Sequence, residues 1–446
     1  MSLPEGWAYA TIADVAAINP KHDKDVDRGQ LVSFVPMPAV DERLGAITAP
    51  TERTLGDVWT GFTHFAEGDV IFAKITPCME NGKAAVARDL TNGLACGSTE
   101  FYVMRAEDEV YPDFLWRLVR QKSFRDEAEQ HMSGAVGQRR VPRQYLEAHA
   151  LAVPPASEQR RIVAKLDALT ARLARARAEL DQVPVLAKKL REQAQAELWV
   201  TDELCGLNDF LAEPIRNGLS IAGSDQPPGV RALKLSALRG GVVNLDDVRY
   251  LPIEPERAEP YALRSGDLLV SRGNGTLSLV GKASLVFTDE SDLPIFPDTA
   301  FRIRVDTEKV CAKWLLHVWN SGGVRKQIES VARTTAGIWK IAQRDLIGIE
   351  LPRFGLERQI ELASKIDAVF ARADRLEAEA IRASALIDRL EASILAKAFR
   401  GEIVPQDPAD EPASVLLNRI RAQRAAAPKT KRGRQAKSMV ADQSAD

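Results

Sequence analysis

The sequence predicts an α+β protein in which two similar mixed α/β globules alternate with two long helices, the helices pairing antiparallel as a coiled coil. Three observations carry that prediction. From Ile162 the apolar residues advance in alternating steps of four and three through Leu166, Leu169, Leu173, Ala176, Leu180, Val183, Ala187, Leu190 and Ala194, the period of a coiled-coil seam. Two hundred residues later every equivalent position is again apolar: Leu362, Ile366, Val369, Ala373, Leu376, Ala380, Ala383, Ile387, Leu390 and Ile394. The turns and strand-like runs upstream of each seam recur with it.

The first globule is assigned to residues 1–155. Trp7 and Tyr9 open it, and runs at Leu31–Val35, Val70–Ala73 and 101–104 read as strands. Pro112 suits the first turn of a helix reaching about Gln130. Residues 156–203 form the first long helix, where Pro184 predicts a kink or break. The second globule occupies residues 204–354, with strands at 232–235, Leu268–Ser271 and 301–305. The second long helix takes residues 355–404. The remainder, 405–446, begins rich in proline and acid, continues as a short helix at 413–423, and ends in a basic stretch at 429–437 that should be disordered.

The globules match motif by motif. Gly68-Asp69, an apolar strand and Lys74 answer to Gly266-Asp267, an apolar strand and Arg272; Gly82-Lys83-Ala84 answers to Gly281-Lys282-Ala283. Gly137 answers to Gly337, Arg140-Val141 to Lys340-Ile341, and Val153-Pro154 to Leu351-Pro352. The offset is 198 from Gly68 to Gly266 and 200 from Gly137 to Gly337, so insertions between the copies are small. A repeat of this length is a duplicated domain and not a solenoid unit.

Composition limits the function. A chain of 446 residues with 45% hydrophobic residues fits about three globular domains. No run reaches the roughly 18 apolar residues of a membrane span, and the N-terminus lacks the basic and apolar segments of a signal peptide. Cys78, Cys96, Cys205 and Cys311 are scattered without a CxxC pair, which fits free thiols in a reducing cytoplasm. The histidines, His22, His64 and His131 among them, show no metal-ligand spacing. A net charge of −2 argues against a polyanion binder acting by bulk charge. Charge is nevertheless patchy. Arg117, Arg120, Lys122, Arg125, Arg139, Arg140 and Arg143 crowd one stretch, and Arg325, Lys326, Arg333, Lys340 and Arg344 the equivalent one. Taken singly, either patch also reads as a solvated helix face.

A catalytic motif is not found. The stretch from Gly275 to Lys282 resembles a phosphate loop but has five residues between its glycines and Ala283 after the lysine, where a Walker loop needs four and a Ser or Thr. Its Gly-Lys-Ala echo at Gly82 points to a hairpin turn in both copies. No nucleophile elbow, methyltransferase motif or acidic nuclease pair appears.

Two globules on a helical pair suggest a ruler. At about 1.5 Å per residue the seam from Ile162 to Ala194 spans roughly 50 Å, the length of about 15 base pairs of duplex. Two readers on one rod would recognise two short sites with an unread gap, as dimeric readers fix half-site separation. Shared frames with divergent loops suit two readers of different sequences. Base edges favour Arg, Lys, Asn, Gln and Thr. Lys74, Thr76, Asn81, Lys83, Arg139 and Arg140 in the first copy, and Arg272, Asn274, Thr276, Lys282, Trp339 and Lys340 in the second, are the candidate DNA-binding residues. The alternative is that Lys74 and Arg272 simply end strands and Trp339 packs in a core.

The residues from Phe65 to Lys83, the stretch Val153-Pro154-Pro155 with Ser157-Glu158-Gln159, and the string Ala398-Phe399-Arg400-Gly401-Glu402-Ile403-Val404-Pro405 carry a resemblance. By them the chain resembles the specificity (S) subunit of type I restriction-modification systems, over nearly all its length. The second helix departs slightly, with Glu357-Arg358-Gln359 at its start. The resemblance implies a non-catalytic, cytoplasmic subunit whose two target-recognition domains bind the halves of a bipartite site in double-stranded DNA. It implies that the helices dock two modification (M) subunits and that restriction (R) subunits join them. S-adenosylmethionine and ATP with Mg would then sit on the partners and no cofactor on this chain. Arg172, Arg175, Arg177, Arg372 and Arg375 would face partners or simply solvent. A coiled-coil protein-binding scaffold without DNA specificity, or a self-contained modification enzyme, is the rival reading.

Overall fold

The computed structural model describes residues 3–426 except 136, 291 and 336; the basic stretch at 429–437 lies outside them. Helices and strands are mixed along the chain, an α+β arrangement. The chain divides into two compact units, residues 1–177 with 384–446, and residues 178–383. The division runs through both long helices.

The first unit holds two four-stranded sheets. One runs in the order Ala16–Ile18, Phe101–Ala106, Val70–Ala73, Ala84–Val86; the other runs Thr51–Thr54, Leu31–Val35, Leu94–Gly97, Thr63–Ala66. Val70–Ala73 is fully buried, which suits an uninterrupted apolar run with no polar alternate face. In the second sheet Leu94–Gly97 lies parallel to Leu31–Val35. A Cβ on Gly97 would sit 2.5 Å from the Val35 carbonyl oxygen, so the approach of these strands requires glycine. Ala8–Thr11 pairs antiparallel with Ala150–Val153.

In the second unit Arg216–Asn217, Ala300–Ile303, Leu268–Ser271 and Ala283–Leu285 form a sheet, and Leu204–Gly206 pairs with Glu350–Pro352. Strand order and terminal pair both repeat those of the first unit. The Gly-Asp motif explains part of that recurrence. Asp69 accepts the Ala66 amide at 2.7 Å and Asp267 the Arg264 amide at 2.8 Å, closing the turn ahead of the buried strand. Each aspartate, 1% exposed, also binds an arginine from the neighbouring strand or its end: Arg105 at 2.7 Å and Arg304 at 2.7 Å. A buried carboxylate is tolerable only when paired in this way.

The helix expected from Pro112 to Gln130 is two helices, Pro112–Arg120 and Lys122–Gln130, as are Ala312–Asn320 and Gly322–Val331 in the second unit. Gln121 and Ser321 at the breaks adopt extended backbone. Their amides still bond the Leu118 and Val318 carbonyls at 3.0 and 3.1 Å, so the breaks leave no stranded donor. The runs read as strands at 101–104, 232–235 and 301–305 are Phe101–Ala106, Val230–Leu233 and Ala300–Ile303.

The first long helix covers Ala156–Leu180 and resumes as Val183–Ala196 with Pro184 in its first turn. Proline lacks the amide to continue a helix but is pre-set to begin one. The second, Leu356–Ala398, is unbroken, and a further helix covers Ala413–Ala426. In the first unit Ile162 and Leu166 pack with Ala398 and Ile394, and Arg177 bonds Asp388 and Glu391. In the second unit Arg191 bonds Asp374 and Glu377, and Lys365 reaches Glu197 at 2.6 Å. Both sets of contacts run in opposite chain directions. Two seam residues depart from expectation. Leu376 is 41% and Leu390 50% exposed. A straight helix drifts about 20° per heptad against a 3.5 repeat, and these positions fall at the stripe's edge.

Each long helix begins with a buried glutamine, Gln159 or Gln359, both 0% exposed. Gln159 accepts the Tyr111 amide at 2.8 Å and donates to the Pro154 carbonyl; Gln359 accepts the Cys311 amide at 2.9 Å and donates to the Phe354 carbonyl. Their neighbours explain the departure at Arg358. Glu158 receives the Trp7 indole N–H at 3.0 Å and the Gln406 amide, whereas Arg358 is exposed and bonds Glu361.

Candidate nucleic-acid interface

In the first unit the strand Val70–Ala73 delivers Lys74 to a junction of three segments. The Lys74 amide donates to the Glu100 carbonyl at 2.9 Å, its carbonyl accepts the Val141 amide at 2.9 Å, and the Thr76 amide donates to the Arg139 carbonyl at 3.0 Å. Lys74, Thr76, Arg139 and Arg140 are thereby brought together. Arg140 forks onto both oxygens of Glu100 at 2.9 Å. That bond holds the Glu100 carboxyl below the usual carboxylate range. The Lys74 ammonium lies 5.2 Å from the Tyr102 ring centroid, and its pKa is lowered by burial against the opposing pull of Glu100. Arg139 pairs with Glu129 at 3.2 Å, and the Thr76 hydroxyl donates to Glu80 at 2.7 Å.

Asn81 and Lys83 sit elsewhere. The exposed Asn81 reaches Glu42 at 3.4 Å. Lys83 spends its ammonium on the Met37 and Val40 carbonyls at 3.4 and 3.1 Å, bracing the Val40–Asp41 hairpin.

The second unit repeats the junction. The Arg272 amide donates to the Thr299 carbonyl at 2.7 Å, and its carbonyl accepts the Ile341 amide at 3.0 Å. Gly273–Asn274 pairs antiparallel with Trp339–Lys340, and Arg333–Thr335 adds a third strand. Arg272, Asn274, Trp339 and Lys340 are thereby neighbours. Asn274 accepts the Thr276 amide at 3.1 Å, and Lys282 and Lys340 are exposed. Trp339 is half-buried against the core. Thr299 stands where the first unit has Glu100, so the carboxylate that neutralises Arg140 has no equivalent at that place.

Sequence reading missed Glu100, whose signal was only its place two residues after Ser98. It also missed Lys234 and Arg249. These line a cleft of about 410 Å³ in the second unit with Ser220, Asp298 and Thr299, beside the Arg272 junction. The Nε of Arg249 is buried without a partner among the described residues. Among the described residues no group of three His, Cys, Asp or Glu stands ready to hold a metal, and no helix is long and apolar enough to cross a membrane.

No family model matches the sequence. Curated relatives do. The EcoKI type I restriction enzyme specificity subunit of Escherichia coli K12 is 28% identical over 470 aligned positions, covering 95% of this chain and 97% of the relative. The StySPI specificity subunit of Salmonella potsdam is 26% identical over 95% of this chain and 96% of the relative. Over about 95% of its length the chain is similar to these type I restriction enzyme specificity subunits. A shorter, stronger match runs to the EcoEI specificity subunit of Escherichia coli, 40% identical over 162 residues. That match spans 36% of this chain and about a quarter, 27%, of the EcoEI subunit. Among solved structures, the HsdS subunit from Thermoanaerobacter tengcongensis shares the fold at TM-score 0.66 and 22% identity, over 90% of this chain and 98% of that one. A chain from a type I R-M system structure does so at 0.72 and 22%, over 90% and 100%. In this chain the repeated junction joins the ends of two duplicated strands to two duplicated loops.

Proposed function

We propose that this chain reads a bipartite site in double-stranded DNA as the specificity subunit of a type I restriction-modification complex. The observation that carries the reading is the junction at Lys74 and at Arg272, one frame used twice with different side chains. One copy presents Lys74, Thr76, Arg139 and Arg140 around Glu100; the other presents Arg272, Asn274, Trp339 and Lys340 without that carboxylate. Different donors on one scaffold suit two different half-sites.

In this reading the two globules are target-recognition domains, and the long helices pair as a coiled coil whose length sets the unread gap. The helices dock modification subunits, two in number, and restriction subunits join the assembly. Methyl transfer from S-adenosylmethionine and ATP hydrolysis with Mg belong to those partners, in the cytoplasm, and this chain performs no catalysis. Its residues position DNA: the basic side chains meet phosphates and base edges, and the buried strand ends hold them in place.

The test is selection from a pool of random duplexes by the chain together with its modification subunit. Two enriched blocks at one spacing are expected. A protein-binding scaffold would enrich nothing, and a self-contained enzyme would methylate the pool without the modification subunit; either result overturns the proposal.

A further inference from the structure

A cleft of about 290 Å³ in the first unit is lined by six basic side chains, Arg43, Arg117, Arg120, Lys122, Arg125 and Arg177, against the carboxylates of Glu42, Asp388 and Glu391. Much of that charge is already matched. Arg177 takes Asp388 and Glu391, Arg117 takes Asp167, and Lys122 takes Asp126. Among the described residues Arg120 and Arg125 find only backbone carbonyls, of Arg43 at 3.1 Å and of Glu80. Three guanidinium nitrogens, Arg120 Nη1, Arg125 Nε and Arg117 Nε, are buried with no partner among the described residues, and Arg117 as a whole is only 8% exposed. Unmatched buried donors of this kind are uncommon and ask for a cause.

The slot for Arg120 is built. Its guanidinium lies 5.2 Å from the Trp116 ring centroid. A Cβ on Gly45, whose φ is +65°, would sit 2.1 Å from Arg120 Nη1. Burial, and the repulsion of Arg117 beside it, push the Arg120 pKa down to about 10. The fold does not demand this charge. Two hundred residues on, Asn320 fills the same helical position and bonds both the amide and carbonyl of Ala283, at 3.1 and 2.9 Å. His317, Gly322 and Glu377 stand where the first copy has Arg117, Lys122 and Arg177. One scaffold position is thus satisfied by a neutral side chain in one copy and left as an uncompensated cation in the other.

We propose that the Arg120 cleft binds a phosphate group, the planar guanidinium and its neighbours supplying the donors that phosphate recognition uses. The phosphate comes from a free phosphate-bearing solute or from a backbone position of duplex DNA, and the two sources are separable. The proposal does not depend on sequence-specific reading, because random duplex serves as the probe; its failure leaves the bipartite reading standing.

The experiment uses the full chain and Arg120→Asn, the residue that the second copy tolerates. Inorganic pyrophosphate is titrated calorimetrically, and a random-sequence 30-base-pair duplex is titrated across a salt series. For a free solute, pyrophosphate binds one per chain and R120N weakens it tenfold or more. For a backbone phosphate, pyrophosphate binds weakly and R120N lowers the slope of log K against log salt by about 0.9. Without ligand, R120N melts no lower than the parent. Should R120N fail to fold, Arg43→Ala on the exposed rim is read the same way, with about threefold weakening expected. A folded variant indistinguishable from the parent in both titrations overturns the proposal.

Discussion

The same strand-end position carries Lys74 in one unit and Arg272 in the other, and both are anchored through their backbones to a facing loop. A side chain so placed can be truncated without disturbing the ladder that holds it. Lys74→Ala and Arg272→Ala should each weaken DNA binding about 10- to 100-fold, the cost of roughly 1–3 kcal/mol for a good base contact. Each should relax preference in one half-site only, checked by binding to duplexes degenerate in one half at a time. A second residue-scale expectation concerns pH. Arg161 bonds Asp410 at 2.6 Å and holds its carboxyl below the ordinary value, with Ser157 adding a further bond. A carboxylate depressed in the folded state contributes stability above its unfolded pKa of about 4, and that contribution fades as pH falls through the depressed value. Asp410→Asn should therefore lower the melting temperature at pH 7, with the gap to the parent closing toward pH 3 in a thermal scan. Much at this scale was legible in the sequence. Gly68-Asp69 and Gly266-Asp267 announced their turns, because an Asp capping an amide three residues back is a local event. Lys83 is a candidate DNA contact by residue type, and its bonds to the Met37 and Val40 carbonyls have no signal in the sequence. Those partners are more than forty residues away, where spacing carries no information.

The long helices show how the element scale constrains pairing. Arg177 bonds Glu391 while Arg191 bonds Glu377. Adding two hundred to each arginine's number gives the other's glutamate. The two contacts are one contact of the duplicated helix with roles exchanged, and the first helix carries the cations while the second carries the anions. Pairing one such helix with a second copy of itself would set like charges together. Each pair, partly exposed, contributes on the order of 1 kcal/mol or less. Arg191→Glu should lower the melting temperature by a few degrees because it faces both Asp374 and Glu377, and adding Glu377→Arg should recover most of the loss. Recovery is the informative readout, since general damage to the helix would persist in the double variant. At this scale the 4,3 step and the interruption near Pro184 were legible in the sequence. It concealed the breaks at Gln121 and Ser321, where no proline or glycine punctuates both copies and the loss of helix is settled by packing. The exposure of Leu376 and Leu390 was hidden for a related reason: periodicity names a stripe but not its edges.

At the scale of the molecule, duplication is the organising fact. It set two sheets of identical strand order, two terminal strand pairs and two buried glutamines at the starts of the long helices. The repeat was legible because gap lengths between copies scarcely changed. The contacts that the divergent loops make were not, since residue identity in a loop names no partner. Replacing residues 1–155 with those of another specificity subunit should change one half of the recognised sequence and leave the other, and deleting one heptad from both long helices should change the gap. Whether one chain reads two short sequences at a fixed separation is decided by mapping methylated adenines across the genome of a host carrying this chain with its modification subunit. Every methylated site should contain two specified blocks separated by an unspecified gap of one constant length. A single continuous block, or methylation without a shared sequence, would contradict it.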